Sequence, residues 1–336
     1  MAMQVCVTVD EPSQVGEARR IAVRMGQQFA LPASRQGDVA IVATELATNL
    51  ARHAKHGQLR LQHIRSGGAA WLEMVAVDDG PGITDLHRSM QDGYSSAGTP
   101  GTGFGAIRRL SDEFDAFSTP GKGTVVLSRL QISAETRAPY VIGAACLPAP
   151  HEPVCGDTWR ACVRERDLAV MLADGLGHGP LAEDAAQRAA KAFDEDPFVD
   201  DLPFYQHAHR QLAGSRGAAM ARAVVRAGSA VRYTGVGNIA AALVGTETSR
   251  GLPSQNGTVG VQTRQRILGQ EYPWPARGLL IMHSDGINGR WSLEAYPGLL
   301  FRHPAIVAAV IARDFRRGRD DATAVVVRMA EGAPQE

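Results

Sequence analysis

The amino-acid sequence predicts an α+β protein that is built from two domains. A chain of 336 residues is long enough for two ordinary domains. Its first part combines long helical patterns with a few strands, whereas the part after residue 139 reads as many short strands interrupted by helices. The polar stretch Ser133–Pro139 separates the two patterns, and we interpret it as a linker. The predicted domains therefore cover residues 1–134 and 135–336.

The composition indicates a globular protein of the cytoplasm. Hydrophobic residues make up 44% of the chain and charged residues 21%. Lys plus Arg equals Asp plus Glu at 35 each, so no basic surplus favours nucleic acid or an anionic membrane. The four cysteines form no CxxC pair and indicate reduced thiols. With no signal-peptide start and no long apolar run, we expect a cytoplasmic protein without a membrane segment.

Periodicity defines the elements of the first domain. Apolar residues recur every three or four positions over Ser13–Phe29, which predicts an amphipathic helix. Asp38 can cap a second helix that runs to about Ala54. Alternating patterns predict strands over Gln58–Ile64, Trp71–Val77 and Thr124–Leu130. A further short helix is expected after the glycine-rich loop, with Ile107, Leu110 and Phe114 on one side.

The second domain is predicted to consist mainly of short strands. The strands are Val141–Leu147, Leu168–Leu172, Ala218–Val225, Val231–Thr234, Ile239–Val244, Leu279–His283 and Thr323–Arg328. The helices are Leu181–Phe193, Phe204–Leu212 and Ala305–Phe315. The last helix is apolar on almost every side, and we therefore expect it to be buried.

Two polar side chains on the second helix can act together at a metal ion. Glu45 and Asn49 lie four residues apart, so they share one helix face. An amide oxygen suits Mg²⁺, and a neighbouring carboxylate can orient water or take a proton from a hydroxyl group. An isolated ExxxN pair is more often a solvated polar face, so this pair needs support from other motifs.

Two glycine-containing motifs supply that support. Asp78-Asp-Gly80-Pro-Gly82 follows a strand, and its first carboxylate can accept a hydrogen bond from an exocyclic amine. Gly101-Thr-Gly103-Phe-Gly105 enters a helix, where backbone N–H groups can hold a phosphate. Each motif alone is weak, because a Gly/Pro turn and a lone GxGxG are common.

The order of these motifs, with Gly121-Lys-Gly-Thr124 before the closing strand, resembles the GHKL ATPase superfamily over about residues 5–131. The sequence is most similar to the RsbT/RsbW type of anti-sigma switch kinase. The resemblance implies an α/β sandwich that binds ATP with Mg²⁺. It makes Asn49 the Mg²⁺ ligand, Glu45 the base, Asp78 the adenine-reading carboxylate and Thr124 a second adenine contact. The glycines that it assigns to the nucleotide and lid are Gly80, Gly82, Gly101, Gly103 and Gly105.

Acidic motifs are spread over the second domain at Asp157, Asp174, Asp285 and Asp320. Two of them follow apolar strands, so their carboxylates can converge at the rim of a sheet. Clustered carboxylates repel one another unless a cation compensates them. All-oxygen ligands favour Mg²⁺ or Mn²⁺, and two such ions can activate water and polarise a phosphoryl group. A single Asp-Gly is nevertheless more often a turn.

The acidic motifs and their neighbours resemble the SpoIIE/RsbX branch of metal-dependent protein phosphatases over about residues 140–329. The relevant sequences are Cys155-Gly-Asp-Thr-Trp, Leu172-Ala-Asp-Gly-Leu-Gly-His-Gly, Tyr233-Thr-Gly-Val-Gly-Asn-Ile, His283-Ser-Asp-Gly-Ile and Arg319-Asp-Asp-Ala-Thr. The resemblance implies a PPM-type β-sandwich flanked by helices, with two Mn²⁺ or Mg²⁺ ions. It makes the same four Asp residues the acidic part of the metal site and adds the backbone carbonyl of Gly175. For His178 three interpretations compete: a helix cap, which we favour, a phosphate-facing group, or a surface residue.

Together the two resemblances imply a bifunctional Ser/Thr kinase and phosphatase acting on a STAS-domain anti-sigma antagonist, in a partner-switching pathway or a stressosome-like assembly. An alternative is that the first domain only binds ATP and sequesters a partner or gates the phosphatase. A third hypothesis, a scaffold with two degenerate halves, is disfavoured because Glu45, Asn49 and the four Asp residues are all present.

Overall fold

The computed structural model describes residues 4–66, 68–90, 103–133, 139–226, 230–261 and 267–330. The chain divides into two compact units. The first contains Met1–Thr136 and Glu294–Arg313, and the second contains Arg137–Leu293 and Asp314–Glu336. One segment of the C-terminal half, residues 294–313, therefore belongs to the first unit. Residues 134–138 of the predicted linker Ser133–Pro139 and the glycine Gly101 lie outside the described residues, while Ser133 is the last residue of a strand.

The first unit is built on one antiparallel sheet of five strands. Its elements before residue 136 are β1 (Gln4–Thr8), α1 (Pro12–Gln28), α2 (Gln36–His53), β2 (Gln58–Ser66), β3 (Ala69–Val77), α3 (Leu86–Ser89), α4 (Gly103–Leu110), β4 (Glu113–Ser118) and β5 (Thr124–Ser133). The strand order is β1-β2-β3-β5-β4. β3 thus lies at the centre of the sheet, and its C-terminal end leads directly into Asp78.

Helices α1 and α2 cover one face of this sheet. Alternate residues of the central strands, such as Leu61 and Met74, are fully buried in one core with Ala22 of α1 and Leu46 of α2. The strand period of two and the helix period of 3.6 each direct an apolar stripe into this layer. The result is the two-layer α/β sandwich predicted from the sequence.

The second unit contains two antiparallel five-stranded sheets. Its elements are β6 (Tyr140–Leu147), β7 (Asp157–Arg164), β8 (Asp167–Gly175), α5 (Pro180–Glu195), α6 (Asp201–Leu212), β9 (Ala218–Val225), β10 (Ala230–Val236), β11 (Ala240–Val244), β12 (Ser249–Leu252), β13 (Gln270–Pro273), β14 (Leu279–His283) and β15 (Ala322–Met329). The strand orders are β13-β10-β9-β8-β7 and β12-β11-β14-β15-β6. Helices α5 and α6 pack in one core with β8 and β9, through residues such as Phe193 and Met220.

Segment 294–313 contributes helix α7 (Pro304–Asp314). Residues Ala305–Ala312 of this helix are buried, as the apolar pattern predicts. The helix begins after His303, whose Nδ1 accepts a hydrogen bond from the N–H of Ala305 at 3.1 Å. The backbone N–H of His303 donates to Asp115 of β4 at 2.7 Å. The start of α7 is therefore fixed to the edge strand of the first unit's sheet.

A buried charge network lies on the face of the first sheet that points away from α1 and α2. Glu73 and Arg129 have fully or nearly fully buried side chains, and their charged groups approach to 2.7 Å. Gln62 donates to the other oxygen of Glu73 at 2.6 Å, and Arg129 also donates to Glu113 at 3.0 Å. The second partner of Glu113 is His303, whose Nε2 lies 3.5 Å away. The network thus continues from the sheet into segment 294–313.

The predicted fold class is confirmed, and several element assignments require correction. Phe114 does not extend the short helix but lies in β4, because α4 ends at Leu110 and the chain reverses into a strand. Strand β7, which begins at Asp157, was not predicted, because its polar start obscures the alternation. The second helix begins at Gln36, so Asp38 lies in its first turn and is not its cap. No helix in the described ranges is long and apolar enough to cross a membrane.

The buried ion pair predicts a large loss of stability when one partner is removed. Arg129→Met should leave Glu73 buried without its cation and lower the free energy of unfolding by about 3–5 kcal/mol. Urea denaturation of the full chain measures this change. Arg24→Met, at an exposed position of α1, is the matched control and should change stability little. The double variant Glu73→Met/Arg129→Met should recover much of the loss, and no recovery would show that the ion pair is not the cause.

Candidate nucleotide and metal sites

The first candidate site lies where α2 meets the start of α4. Glu45 and Asn49 are both half-buried on α2. A Cβ atom added to Gly103 would lie 3.1 Å from Oε2 of Glu45 and 3.6 Å from Oδ1 of Asn49. A glycine at this position therefore lets the backbone at the start of α4 approach the two polar groups. The structure brings the ExxxN motif and Gly103 of the GxGxG motif together, and the buried Gly105 follows two residues later on α4.

Asp78, at the end of β3, has three of its four polar groups fixed by protein contacts. Its N–H donates to the carbonyl of Thr124 at 3.0 Å, and its Oδ1 accepts from the N–H of Gly80 at 2.8 Å. Its carbonyl accepts from Arg313 at 2.8 Å. Oδ2 has no hydrogen-bond partner among the residues that the structure describes. This oxygen is therefore available to an external donor such as an exocyclic amine.

The ionisation of Asp78 is set by opposing effects. Burial raises the pKa of this carboxyl, while the hydrogen bond from Gly80 and the charge of Arg313 lower it. The carboxylate is a better acceptor than the neutral acid, so these two contacts favour the form that can bind an amine.

The loop after Asp78 is held against the β4–β5 hairpin. Gly82 has φ of +71°, and a Cβ there would overlap the carbonyl of Thr119. The N–H of Ile83 donates to Ser118 Oγ at 2.7 Å, and this hydroxyl also lies 2.9 Å from that of Thr124. The role of Thr124 as an adenine contact remains a prediction, since its hydroxyl already shares a hydrogen bond with Ser118. The position of Gly80, close to the carbonyl of His53, places the end of α2 beside this loop.

The second candidate site gathers carboxylates from the two sheets of the second unit. Asp157 and Asp174 face each other on the neighbouring strands β7 and β8. Asp285 follows β14 by two residues, and Asp320 and Asp321 immediately precede β15, which pairs with β14. Ser284 joins the sheets, because its hydroxyl donates to Oδ2 of Asp157 at 2.6 Å.

Burial and neighbouring carboxylates both raise the pKa values of Asp157 and Asp174. Burial raises the pKa of Asp157 to about 7; the hydrogen bond from Ser284 opposes this shift, and the charges of Asp321 and Asp320 reinforce it. Burial also raises the pKa of Asp174 to about 9, with further contributions from the surrounding carboxylates. Gathered negative charge of this kind is relieved by a cation.

The donor atoms fit a hard divalent cation. Oδ1 of Asp157 and Oδ2 of Asp321 are buried and have no hydrogen-bond partner within the described ranges. Oxygen ligands of this type suit Mg²⁺ or Mn²⁺, of which Mg²⁺ usually keeps several water ligands. In the same ranges, no group of three or more His, Cys, Asp or Glu side chains is placed so that it could hold a metal ion by itself. Gly175 lies beside the cluster, and its N–H donates to the carbonyl of Gly156 at 3.0 Å.

Sequence reasoning missed three residues that position or extend this cluster. Ser284 fixes Asp157, and Asn238 donates from its amide nitrogen to Oδ2 of Asp285 at 2.6 Å. Asp321 is more buried than Asp320 and accepts from the N–H of Ala149 at 2.8 Å. Each of these residues lies within or next to a motif that the sequence analysis identified. The sequence therefore pointed to the region of each residue but could not predict its hydrogen-bond partner.

The capping interpretation of His178 is wrong. The residue before α5 is Gly179, and no side chain caps this helix. His178 instead places its Nδ1 2.5 Å from Oε1 of Glu152, and more than half of its side chain is exposed. The nearby carboxylate attracts the imidazole away from the helix end, where Pro180 at the first position has no N–H to be capped.

The hydrogen bond that fixes Asp157 predicts an effect on metal affinity. Ser284→Ala should weaken Mn²⁺ binding by about 10- to 100-fold, because groups that orient a metal ligand typically contribute this much. Isothermal titration calorimetry of the full chain with Mn²⁺ measures the affinity directly. Ser249→Ala, on the exposed strand β12, serves as the control. Equal Mn²⁺ affinity in the two variants would show that Ser284 does not support a metal site.

Comparison with known proteins places the first unit in a family. Residues 8–129 match the model of the histidine kinase-like ATPase domain. The chain is 31% identical over 123 residues to the serine/threonine-protein kinase RsbT of Bacillus subtilis (strain 168), covering 37% of this chain and 92% of that one. It is 29% identical over 115 residues to the anti-sigma F factor of Thermoanaerobacter sp. (strain X514), covering 32% of this chain and 79% of the relative.

Two solved structures resemble a larger part of the chain. One comes from work on the bacterial stressosome as a modular system adapted to control secondary messenger signalling. It has a TM-score of 0.52 at 26% sequence identity, and the match covers 56% of this chain and 99% of the solved chain. The other is RsbX in complex with magnesium. It has a TM-score of 0.50 at 18% sequence identity, and the match covers 59% of this chain and 98% of the solved chain. The second likeness concerns the fold alone. The predicted fusion of a switch-kinase module with an RsbX-type fold is confirmed, and the chain belongs to the histidine kinase-like ATPase family as a relative of RsbT.

Proposed function

We propose that this chain both phosphorylates and dephosphorylates a STAS-domain protein in a bacterial partner-switching pathway. The first unit acts as the serine/threonine kinase, and the second acts as the phosphatase. Similarity to RsbT over 92% of that kinase supports the first activity, and the stressosome likeness supports an assembly of this kind. The protein acts in the cytoplasm, without nucleic acid or membrane partners.

The kinase proposal is carried by the approach of Gly103 to Glu45 and Asn49. Asn49 would hold Mg²⁺ on ATP, and the ion supplies charge neutralisation of the phosphates when bound. Glu45, one helical turn away, accepts the proton of the acceptor hydroxyl. Oδ2 of Asp78 would accept a hydrogen bond from the exocyclic amine of adenine. The glycines Gly80, Gly82, Gly101, Gly103 and Gly105, with Thr124, complete the nucleotide contacts.

The phosphatase proposal is carried by the carboxylates that the two sheets gather, with Asp157 opposite Asp174 and one buried oxygen of Asp157 without a hydrogen-bond partner in the described ranges. Asp157, Asp174, Asp285 and Asp320, with the carbonyl of Gly175, would hold two Mn²⁺ or Mg²⁺ ions. When bound, the ions supply activation of water and neutralisation of charge on the phosphoryl group. Within the protein, Ser284 and Asn238 orient two of these carboxylates through the hydrogen bonds described above.

A thiol mechanism is disfavoured at the same place. The Sγ atoms of Cys146 and Cys155 lie 3.3 Å apart. The hydrogen bond with Cys146, together with burial, raises the pKa of Cys155 above its usual range. A nucleophilic cysteine needs its thiolate form, so the environment of Cys155 opposes this role.

The kinase assignment predicts that Glu45→Gln retains ATP binding and lowers phosphoryl transfer about 10²- to 10⁴-fold, because a positioned base is lost. The assay incubates the full chain with ATP, Mg²⁺ and a STAS-domain protein and detects the phosphorylated residue by mass spectrometry. Gln28→Ala, on the exposed surface of α1, is the control. Full activity of Glu45→Gln would exclude the base role. ATP binding without transfer in the unmodified chain would instead favour the alternative of a non-transferring regulatory module.

The phosphatase assignment predicts Mn²⁺- or Mg²⁺-dependent hydrolysis of phosphoserine or phosphothreonine by the full chain. Asp174→Asn should abolish it, because one anionic ligand is lost from the cluster. Asp184→Asn, in an exposed ion pair of α5, should retain it. Release of phosphate from the phosphorylated STAS-domain protein is the measurement. A chelator should stop the reaction while a thiol-alkylating reagent should not, and the opposite pattern would point to Cys155.

A further inference from the structure

Segment 294–313 contacts the nucleotide site of the first unit at two places. Near its start, Lys122 donates to the carbonyl of Ala295 at 3.4 Å and lies 4.1 Å from the centre of the Tyr296 ring. At its end, Arg313 donates from Nη1 to the carbonyl of Asp78 at 2.8 Å. Tyr296 and Arg313 both lie in the C-terminal half of the chain. Both contacts therefore come from outside the part that resembles the switch kinases.

The residues that receive the two contacts, Lys122 and Asp78, lie close together in the first unit. Lys122 belongs to the turn between β4 and β5, and a Cβ on the next residue, Gly123, would overlap the carbonyl of Asp78. This turn and the Asp78 peptide thus lie directly against each other. Between them, the contacts from segment 294–313 fix the Asp78 peptide and the turn beside it.

Arg313 acts on Asp78 through geometry and through charge. Thr124 and Arg313 hold the N–H and the carbonyl of Asp78, while Gly80 holds one carboxylate oxygen. Of the four groups, only Oδ2 is left for a ligand in the described part of the chain. The positive charge of Arg313 also lowers the pKa of Asp78, against the effect of burial. Without Arg313, the Asp78 peptide would lose one of the contacts that hold it in place.

We propose that segment 294–313 completes the ATP site, with Arg313 as a positioning residue for Asp78, so that nucleotide binding and docking of this segment stabilise each other. The inference rests on the proposed binding of ATP by the first unit. Coupling of this kind is reciprocal, so a bound nucleotide must strengthen the attachment of the segment by the same factor by which the segment strengthens nucleotide binding. In the chain, the segment lies between Asp285 and Asp320.

The experiment compares full-length variants at Arg313. Arg313→Ala should weaken ADP and ATP binding about tenfold, the scale of a lost hydrogen bond from a charged donor. Arg313→Lys keeps a charged donor and should bind within about twofold of the unmodified chain, with Arg313→Gln between the two. Calorimetry measures affinity, with the exposed Arg24→Ala as the control for removal of a guanidinium group. Asn49→Ala provides the reference for lost binding.

A second measurement separates positioning from a merely structural role. Hydrogen–deuterium exchange of residues 294–313 should slow when ADP is added to the unmodified chain and to Arg313→Lys, but not to Arg313→Ala. If Arg313→Ala does not fold, the comparison of Arg313→Gln with Arg313→Lys decides the question. Equal nucleotide affinity in all Arg313 variants would overturn the inference, as would an exchange rate of this segment that ADP does not change. Neither result would contradict the binding of ATP by the first unit. If the unmodified chain binds no nucleotide, the proposed kinase function itself fails.

Discussion

The hydrogen bond between Ser284 and Asp157 joins the two sheets of the second unit at the point where its carboxylates gather. Each sheet alone presents only part of the acidic cluster: Asp157 and Asp174 lie on one, and Asp285 and Asp321 lie beside the other. A buried hydroxyl that donates at 2.6 Å holds these two groups together without adding positive charge. The pKa values of Asp157 and Asp174 are raised, so a divalent cation that binds there would stabilise the charged forms of these carboxylates.

The same design occurs in both candidate sites. In each, a carboxylate is held through one oxygen by the protein, while its second oxygen has no partner among the described residues. Asp78 is held by Gly80, Asp157 by Ser284, and Asp321 by Ala149. Fixing one oxygen orients the group and reduces the entropy lost when a ligand binds the other. Ordinary surface carboxylates are also acidic. These three positions differ from them because one carboxylate oxygen is fixed by the protein and the other has no partner among the described residues.

The buried charges on the first sheet explain why a segment from the C-terminal half belongs to the first unit. A pair such as Glu73 and Arg129 is costly to bury, and the cost is offset only when its remaining groups are also paired. Glu113 extends the pair to His303, and Asp115 fixes the start of α7. Segment 294–313 carries His303, which contacts both of these carboxylates. The same segment carries Arg313, which donates to the carbonyl of Asp78.

The sequence by itself determined the fold class and the identity of most candidate residues. Local periodicity is sufficient to predict α1, α2 and the central strands, because each has one clear apolar face. The motifs around Glu45, Asp78, Asp174 and Asp285 were recognisable because their residue types and order are specific. The strand that begins at Asp157 was not, because its polar start breaks the alternation on which strand prediction depends.

Only the tertiary structure decided which groups act together. Ser284 and Asp157 are separated by more than a hundred residues, as are Arg313 and Asp78. No local pattern encodes such pairs, since they depend on how sheets and segments pack. The capping interpretation of His178 was wrong for the same reason, because its partner Glu152 lies on a different loop. Sequence thus named the chemistry of this protein, whereas packing selected the hydrogen bonds that prepare its carboxylates to bind.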